Sequence, residues 1–479
     1  MNMKSDVKFF VLPLAVLLLL FSSCKIGRKY VRPDLHLPET IVPDEQDSAV
    51  YADLKWWEVY TDTVLQSLIN KTLAYNKDML IATSRIKEMA ILKRIDLANL
   101  LPSVGGKISA EREFENDGGN NKDITNTFEG KLLFSWELDL WGNLRWGREK
   151  GIAEYLQSVE AQRALQMTLV ATVAEAYFEL IALDNELSIV RRTLATREEG
   201  VRQAKLRFEG GLTSETSYQQ AQVELARTAT LVPELERQIV NKENDIAFLA
   251  GEYPNAVKRG IMKQEITLPE YLPVGLPSDL LKRRPDMREA EQKLIAANAQ
   301  VGIAFTDMFP RIALTGQYGL ESSVLSDFLK SPYGLLGANL LTPIFNSGKN
   351  IAKYKAQKAV YEQACYGYEK SVLNAFKEVN NAIVNFNKMK EAYESKRKLE
   401  QASKSYVELA QLQYFNGIIN YLDVLDAQRG YFDAQIGLSN AIRDEQIAIV
   451  RLYKALGGGW DTNAVSYTHL RAHETCADL

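Results

Sequence analysis

The chain has 479 residues and a net charge of −4, from 57 basic and 61 acidic side chains, so no basic excess points to nucleic acid. Its three cysteines, Cys24, Cys365 and Cys476, are too few and too scattered for a disulfide framework or a zinc site, and three histidines further weaken a metal-hydrolase reading. No phosphate-binding glycine loop, nucleophile elbow or metal-spaced histidine pair occurs, which argues against an enzyme.

Lys4 and Lys8 precede the apolar run 9–21, which is short for a spanning helix and has the layout of a secretory signal. The run closes on Phe21-Ser-Ser-Cys24. An ordinary signal with an incidental cysteine is one reading. The small residues directly before the lone cysteine favour the other, acylation of Cys24 and a membrane anchor at the start of the mature chain. Leucine is the usual residue at the position of Phe21, and Leu20 leaves a register one place earlier open. Apart from that covalent lipid no cofactor and no metal is expected.

Residues 24–55 are polar and dotted with Pro33, Pro38 and Pro43, which predicts an extended strap. Trp56-Trp57 then opens a helix and is expected to pack in a core, and Asp78 is placed to cap a second helix reaching about residue 99. From 103 to 140 the period changes to two. In 127–140 the even positions are Phe128, Gly130, Leu132, Phe134, Trp136, Leu138 and Leu140, while the odd ones are polar except Leu133. This predicts a strand with one apolar and one polar face, paired with 103–115.

Residues 151–209 lack proline and hold one internal glycine, Gly200, so they can run as a single helix of roughly 90 Å. Its stripe Val173, Ala176, Leu180, Leu183, Leu187, Val190, Leu194, Arg197, Val201 is a coiled-coil seam broken only by Arg197. Gly210 and Gly211 reverse the chain, and 213–250 is expected to return as one helix. A proline-rich linker, 252–285, follows; its basic run Lys282-Arg283-Arg284 reads as a solvated turn, with Ser278 able to cap a short helix and Pro285 to open the next.

The plan then repeats. A helix from 286, strands within 311–345, a proline-free run 350–415, a break at Gly417 and a helix 420–456 follow in the same order. Gly211 and Gly417 stand as far apart as Gly251 and Gly457, which defines a duplicated unit of about 200 residues, too long a period for a solenoid. The copies are 56–251 and 286–460. In each, two short helices stacked end to end would match one long helix, as the wall of an even tube requires.

Each copy supplies two strands and no helix patterned to cover them. That favours a lipid-facing wall over the lid of a soluble core, with Trp136, Trp141 and Trp146 as membrane-interface aromatics. Four strands cannot close a barrel, and an open edge in lipid leaves backbone groups unpaired, so several chains must share one barrel.

Cys24, Tyr30-Val-Arg-Pro33, Trp56-Trp57, Trp136-Glu-Leu-Asp-Leu-Trp-Gly142, Arg283-Arg-Pro-Asp286, Phe309-Pro310 and Tyr421-Leu-Asp-Val-Leu-Asp426 together resemble the outer-membrane efflux protein family, the TolC-like channels, and more closely its lipidated branch. The resemblance covers residues 24 to about 460. It implies an α+β membrane protein: a homotrimer in which each chain gives one third of a twelve-stranded outer-membrane β-barrel, continuous with a long periplasmic coiled-coil barrel. It implies a passive exit duct in the outer membrane of a Gram-negative bacterium, partnered by a periplasmic adaptor and an inner-membrane pump of the RND type. The tip turns Gly210, Gly211 and Gly417 would mark the closing end, where Asp423 and Asp426 would form carboxylate rings that select cations. An acidic pair favoured by the helix dipole is the alternative for those two residues. Ile419 and Ser217 stand where some members place a gate arginine and its carboxylate, which departs from a gate locked by that pair. Two other functions stay open: an exit duct for secreted proteins, and a structural periplasmic coiled-coil lipoprotein. The segment 461–479, with two of the three histidines, resembles vector read-through rather than a metal-binding tail and is set aside.

Overall fold

The computed structural model describes residues 25–35, 55–116, 122–260 and 277–460. The signal segment, Cys24, most of the strap and the segment 461–479 lie outside the described residues. The elements are α1 (Trp56–Val59), α2 (Thr63–Tyr75), α3 (Lys77–Ala98), β1 (Ser103–Asn116), β2 (Lys122–Leu138), α4 (Asn143–Glu209), α5 (Glu215–Ala229), α6 (Leu231–Leu249), α7 (Pro277–Arg283), α8 (Pro285–Thr306), β3 (Arg311–Ser322), a 3-10 turn (Leu325–Lys330), β4 (Pro332–Leu341), α9 (Lys349–Phe415) and α10 (Tyr421–Ala455).

The duplication is visible in the two long helices, α4 and α9, which are both 67 residues. The hairpin expected over about 143–250 begins where α4 does, at Asn143, eight residues ahead of the proline-free run counted from 151. The Asp139 carboxylate accepts hydrogen bonds from the backbone N–H of Leu144 and Arg145, a cap that lets the helix begin ahead of Gly147 and Gly151.

Three other expectations need correction. The return arm 213–250 is two helices, because Pro233 is the third residue of α6 and has no N–H to offer the carbonyl of Ala229. The cap of α3 is Asn76 rather than Asp78. Asn76 Oδ1 accepts from Met79 N at 3.1 Å while its amide donates to Leu249 O, so one side chain ends two helices at once. Of the tryptophan pair, Trp56 is core, whereas Trp57 meets it edge-on at 5.4 Å and faces out.

The contacts divide the chain into two compact units, and each draws on both repeats. One comprises residues up to 35, 84–159 and 289–370 and holds the sheet; the other comprises 36–83, 160–288 and 371 onward and is helical. The sheet is antiparallel in the order β1-β2-β3-β4, so the hairpin of one copy joins the hairpin of the other through β2 and β3.

In the helical unit, Trp56, Leu65, Ile69, Val173, Tyr177, Val379, Val450 and Leu456 share one core. The predicted seam holds: Ala176, Leu180, Leu187 and Val190 pack on Leu235, Ile239 and Ile246 of α6. The basic run is not a solvated turn. Arg284 is buried and donates to Ala455 O, the open carbonyl end of α10, and to the carboxylates of Asp286 and Glu378. Its fixed fork of donors suits three acceptors in one place.

Candidate functional site

The sheet has its polarity inside out for a water-soluble protein. Val104, Phe134, Gly316 and Leu336 form one cross-strand row, and Ile108, Gly130, Leu320 and Pro332 another, all on one face. Ile108 is 91% and Leu336 92% exposed. The opposite face carries Lys107, Ser109, Glu111, Glu129, Lys131, Thr315, Gln317 and Glu321, in keeping with the predicted alternation. Like charges stand directly opposite there, Lys107 by Lys131 and Glu129 by Glu321, an unfavourable arrangement by itself. Diagonal pairing resolves it. Lys107 meets Glu129 at 2.9 Å, and buried Lys131 meets Glu129 and Glu321 beneath the ring of Tyr333. The outer strands β1 and β4 each leave one side without a partner among the described residues.

At the foot of the sheet, β2 turns into α4. Trp136 donates its indole N–H to Leu100 O at 3.1 Å and Trp141 to Pro310 O at 2.7 Å, and both rings are half-buried. Trp146 does not belong with them. It is 0% exposed, donates to Ile26 O and lies under Lys25, so it is a core residue and not an interface aromatic. Three residues into a helix its direction is set by the helical turn, not by the strand alternation that placed Trp136.

The far ends of the long helices carry matched turns. Gly211 and Gly417 have φ of 70° and 72°, where a side chain would be strained. In both, the glycine N–H bonds three residues back and the next N–H five back, Leu212 to Arg207 O and Ile418 to Gln413 O. Gly251 and Gly457 repeat the pattern at the other ends of the return arms. Gly210 precedes the first turn as its last helical-type donor, to Leu206 O.

Asp423 and Asp426 are both exposed on α10. Asp423 also has a local role, because its carboxylate accepts from Asn420 N at 3.0 Å and completes a capping box. Ile419 packs against Val407, Ala410 and Ala427 in an apolar cluster.

A charged cluster that the sequence did not reveal joins the two hairpins near these tips. Glu224 of α5, 2% exposed, accepts from Arg197 of α4 at 2.7 Å and from Arg429 of α10 at 2.6 Å. Burial pushes its carboxyl up, but the hydrogen bond from Arg429 and the neighbouring guanidinium charges outweigh this and hold it below the ordinary carboxylate value. Arg197, 7% exposed, is the residue that broke the apolar stripe. That break was the available signal; nothing in the local pattern names its partners.

Residues 68–252 and 276–458 each match the model of the outer membrane efflux protein family, one match per repeat. The chain is 31% identical over 468 residues to the probable efflux pump outer membrane protein TtgC of Pseudomonas putida, covering 94% of this chain and 96% of that one. It is 30% identical over 467 residues to the outer membrane protein OprJ of Pseudomonas aeruginosa, again 94% of this chain and 96% of the relative. The solved outer-membrane channel OprN superposes with a TM-score of 0.85 at 28% identity, over 91% of this chain and 100% of the other. The chain therefore belongs to the outer membrane efflux protein family. It is an outer-membrane efflux channel component, a transport duct.

Proposed function

We propose that three copies of this chain close one twelve-stranded barrel in the outer membrane and continue as a helical conduit in the periplasm. The conduit passively receives substrate from an inner-membrane pump of the RND type through a periplasmic adaptor. The observation that carries the proposal is the four-stranded sheet, whose apolar face is exposed and whose two edges are open among the described residues. A lipid environment accounts for the face, and only further strands account for the edges, since unpaired backbone groups cost several kcal/mol each in hydrocarbon. A structural coiled-coil lipoprotein would have no use for such a sheet.

The adaptor would meet the helix-end turns, where Leu212 and Ile418 directly follow the two glycines and stand exposed. In the trimer, Asp423 and Asp426 would each be repeated three times around the axis, giving two anionic rings that attract cations. Acylation at Cys24 would add an anchor to the barrel.

Native mass spectrometry of the detergent-solubilised protein is expected to show three chains, with an acylated residue at the mature N-terminus. A stable monomer or dimer would overturn the trimer, and an unmodified residue 24 would overturn the anchor without touching the barrel.

A further inference from the structure

The strap is held by a cleft shaped for it. Ile26 N–H donates to Trp141 O at 3.0 Å, and Ile26 O accepts from the Trp146 indole at 2.8 Å. The Lys25 ammonium lies 3.2 Å from the centre of the Trp146 ring and pairs with Glu149. Further along, Arg28 O accepts from Asn298, Tyr30 donates to Glu291, and Arg32 grips the same carboxylate through two nitrogens.

Glycines from three separate segments make the room. A Cβ on Gly142 would meet Lys25 Cα at 3.0 Å, one on Gly27 would meet the Trp146 ring at 2.9 Å, and one on Gly302 would overlap that ring. Real Cβ atoms are essentially never closer than 3.0 Å, so a substitution at Gly27 or Gly302 requires the strap or the tryptophan to move. Gly27 at φ 128° and Gly142 at 84° also hold backbone angles that side chains disfavour. A buried tryptophan, a half-buried cation against it and three close approaches constitute a peptide-binding cleft whose occupant is the chain's own Lys25-Ile26-Gly27.

We propose that this cleft is the docking site of the mature N-terminus, and that docking, rather than an acyl chain, fixes where the mature chain starts. The docked residues Lys25 and Ile26 lie beside Trp141, at the foot of β2. An acyl group at Cys24 rests on the outer-membrane reading; the docking does not.

Trypsin reports the docking, since Lys25, Arg28 and Lys29 supply cleavage points that must leave the cleft to be cut, and cleavage then follows the open population. In the full-length protein, Gly27→Val is expected to speed cleavage within 25–32 by about tenfold or more. Gly302→Val should do the same by displacing the Trp146 ring. A Cys24→Ala form exported behind a peptidase-cleaved leader should keep the parent's slow rate. Parent-like cleavage of Gly27→Val would overturn the proposal, and that variant alters only the strap, so it remains decisive if Gly302→Val fails to fold. Fast cleavage of Cys24→Ala, equal to that of Gly27→Val, would also overturn it by showing that the acyl chain holds the strap. Mass spectrometry of the parent's N-terminus reads acylation separately, so failure of the anchor and failure of the docking are distinct results.

Discussion

The sheet and the helical seam treat the same side chains in opposite ways. Along α4 and α6, Leu180, Val190 and Ile246 are buried, and the charges that are buried among the helices, such as Glu160 and the cluster at Glu224, are paired with arginines. In the sheet, Ile108, Leu132 and Leu336 face out while Lys131 is tucked among carboxylates. In the proposed barrel a single hydrophobic effect explains both, with water around the helices and lipid against the sheet. Each region also hides a charge cluster. At Glu224 the charges are enclosed by packed helices; at Lys131 they line the polar face of an open wall.

The sharpest way to break this contrast is to remove the buried carboxylate. Glu224→Ala leaves Arg197 enclosed without its partner and is expected to cost about 3–5 kcal/mol, read by denaturant unfolding of the helical region. Adding Arg197→Met should recover much of that loss. A loss no larger than that of an exposed pair would mean the site is wet. The same cluster predicts a pH dependence. Because the Glu224 carboxyl sits below its ordinary 4.5 in the folded protein, its stabilisation is fully present above that pH and is lost as pH falls through the lower folded value. The stability gap between the parent and Glu224→Gln should therefore close on acidification.

The sheet is tested by the neighbours Phe134 and Ser135, which lie on opposite faces. Phe134→Arg is expected to cost about 2–4 kcal/mol of insertion stability near the bilayer midplane, whereas Ser135→Arg should be tolerated. Equal costs would place both faces in the same medium.

Smaller effects are expected at the helix-end turns. Gly417→Ala strains a left-handed backbone position and should cost about 1–2 kcal/mol, with Gly211→Ala alike if the repeats are equivalent in energy as they are in shape. The least effect on stability, and the most on transport, is expected from Asp423→Asn with Asp426→Asn. Loss of the acidic first turn should cost about 0.3–1 kcal/mol. Planar-bilayer recordings should show weaker cation selectivity and weaker block by multivalent cations. An unchanged reversal potential under a salt gradient would place the selectivity filter elsewhere.

Much of the architecture was legible because it is written in local periodicity. The alternation in 127–138 determined which residues share a face, the proline-free runs determined the long helices, and glycines at matching spacing determined the turns, since backbone sterics act within a few residues. Pro233 is a local signal of the same kind, since a proline ends or kinks a helix that the apolar pattern alone would continue.

What only the tertiary structure decided involves residues far apart in the chain. Trp146 looked like a third interface aromatic until Lys25, Gly27 and Gly302 closed around it. Arg284 looked solvated until the end of α10 arrived to need a donor. Arg197 looked like a flaw in a seam until Glu224 and Arg429 arrived from other helices. A charged or aromatic side chain takes its energy from whatever neighbour desolvates it, and that neighbour is chosen by the packing of distant segments, which no window along the sequence contains.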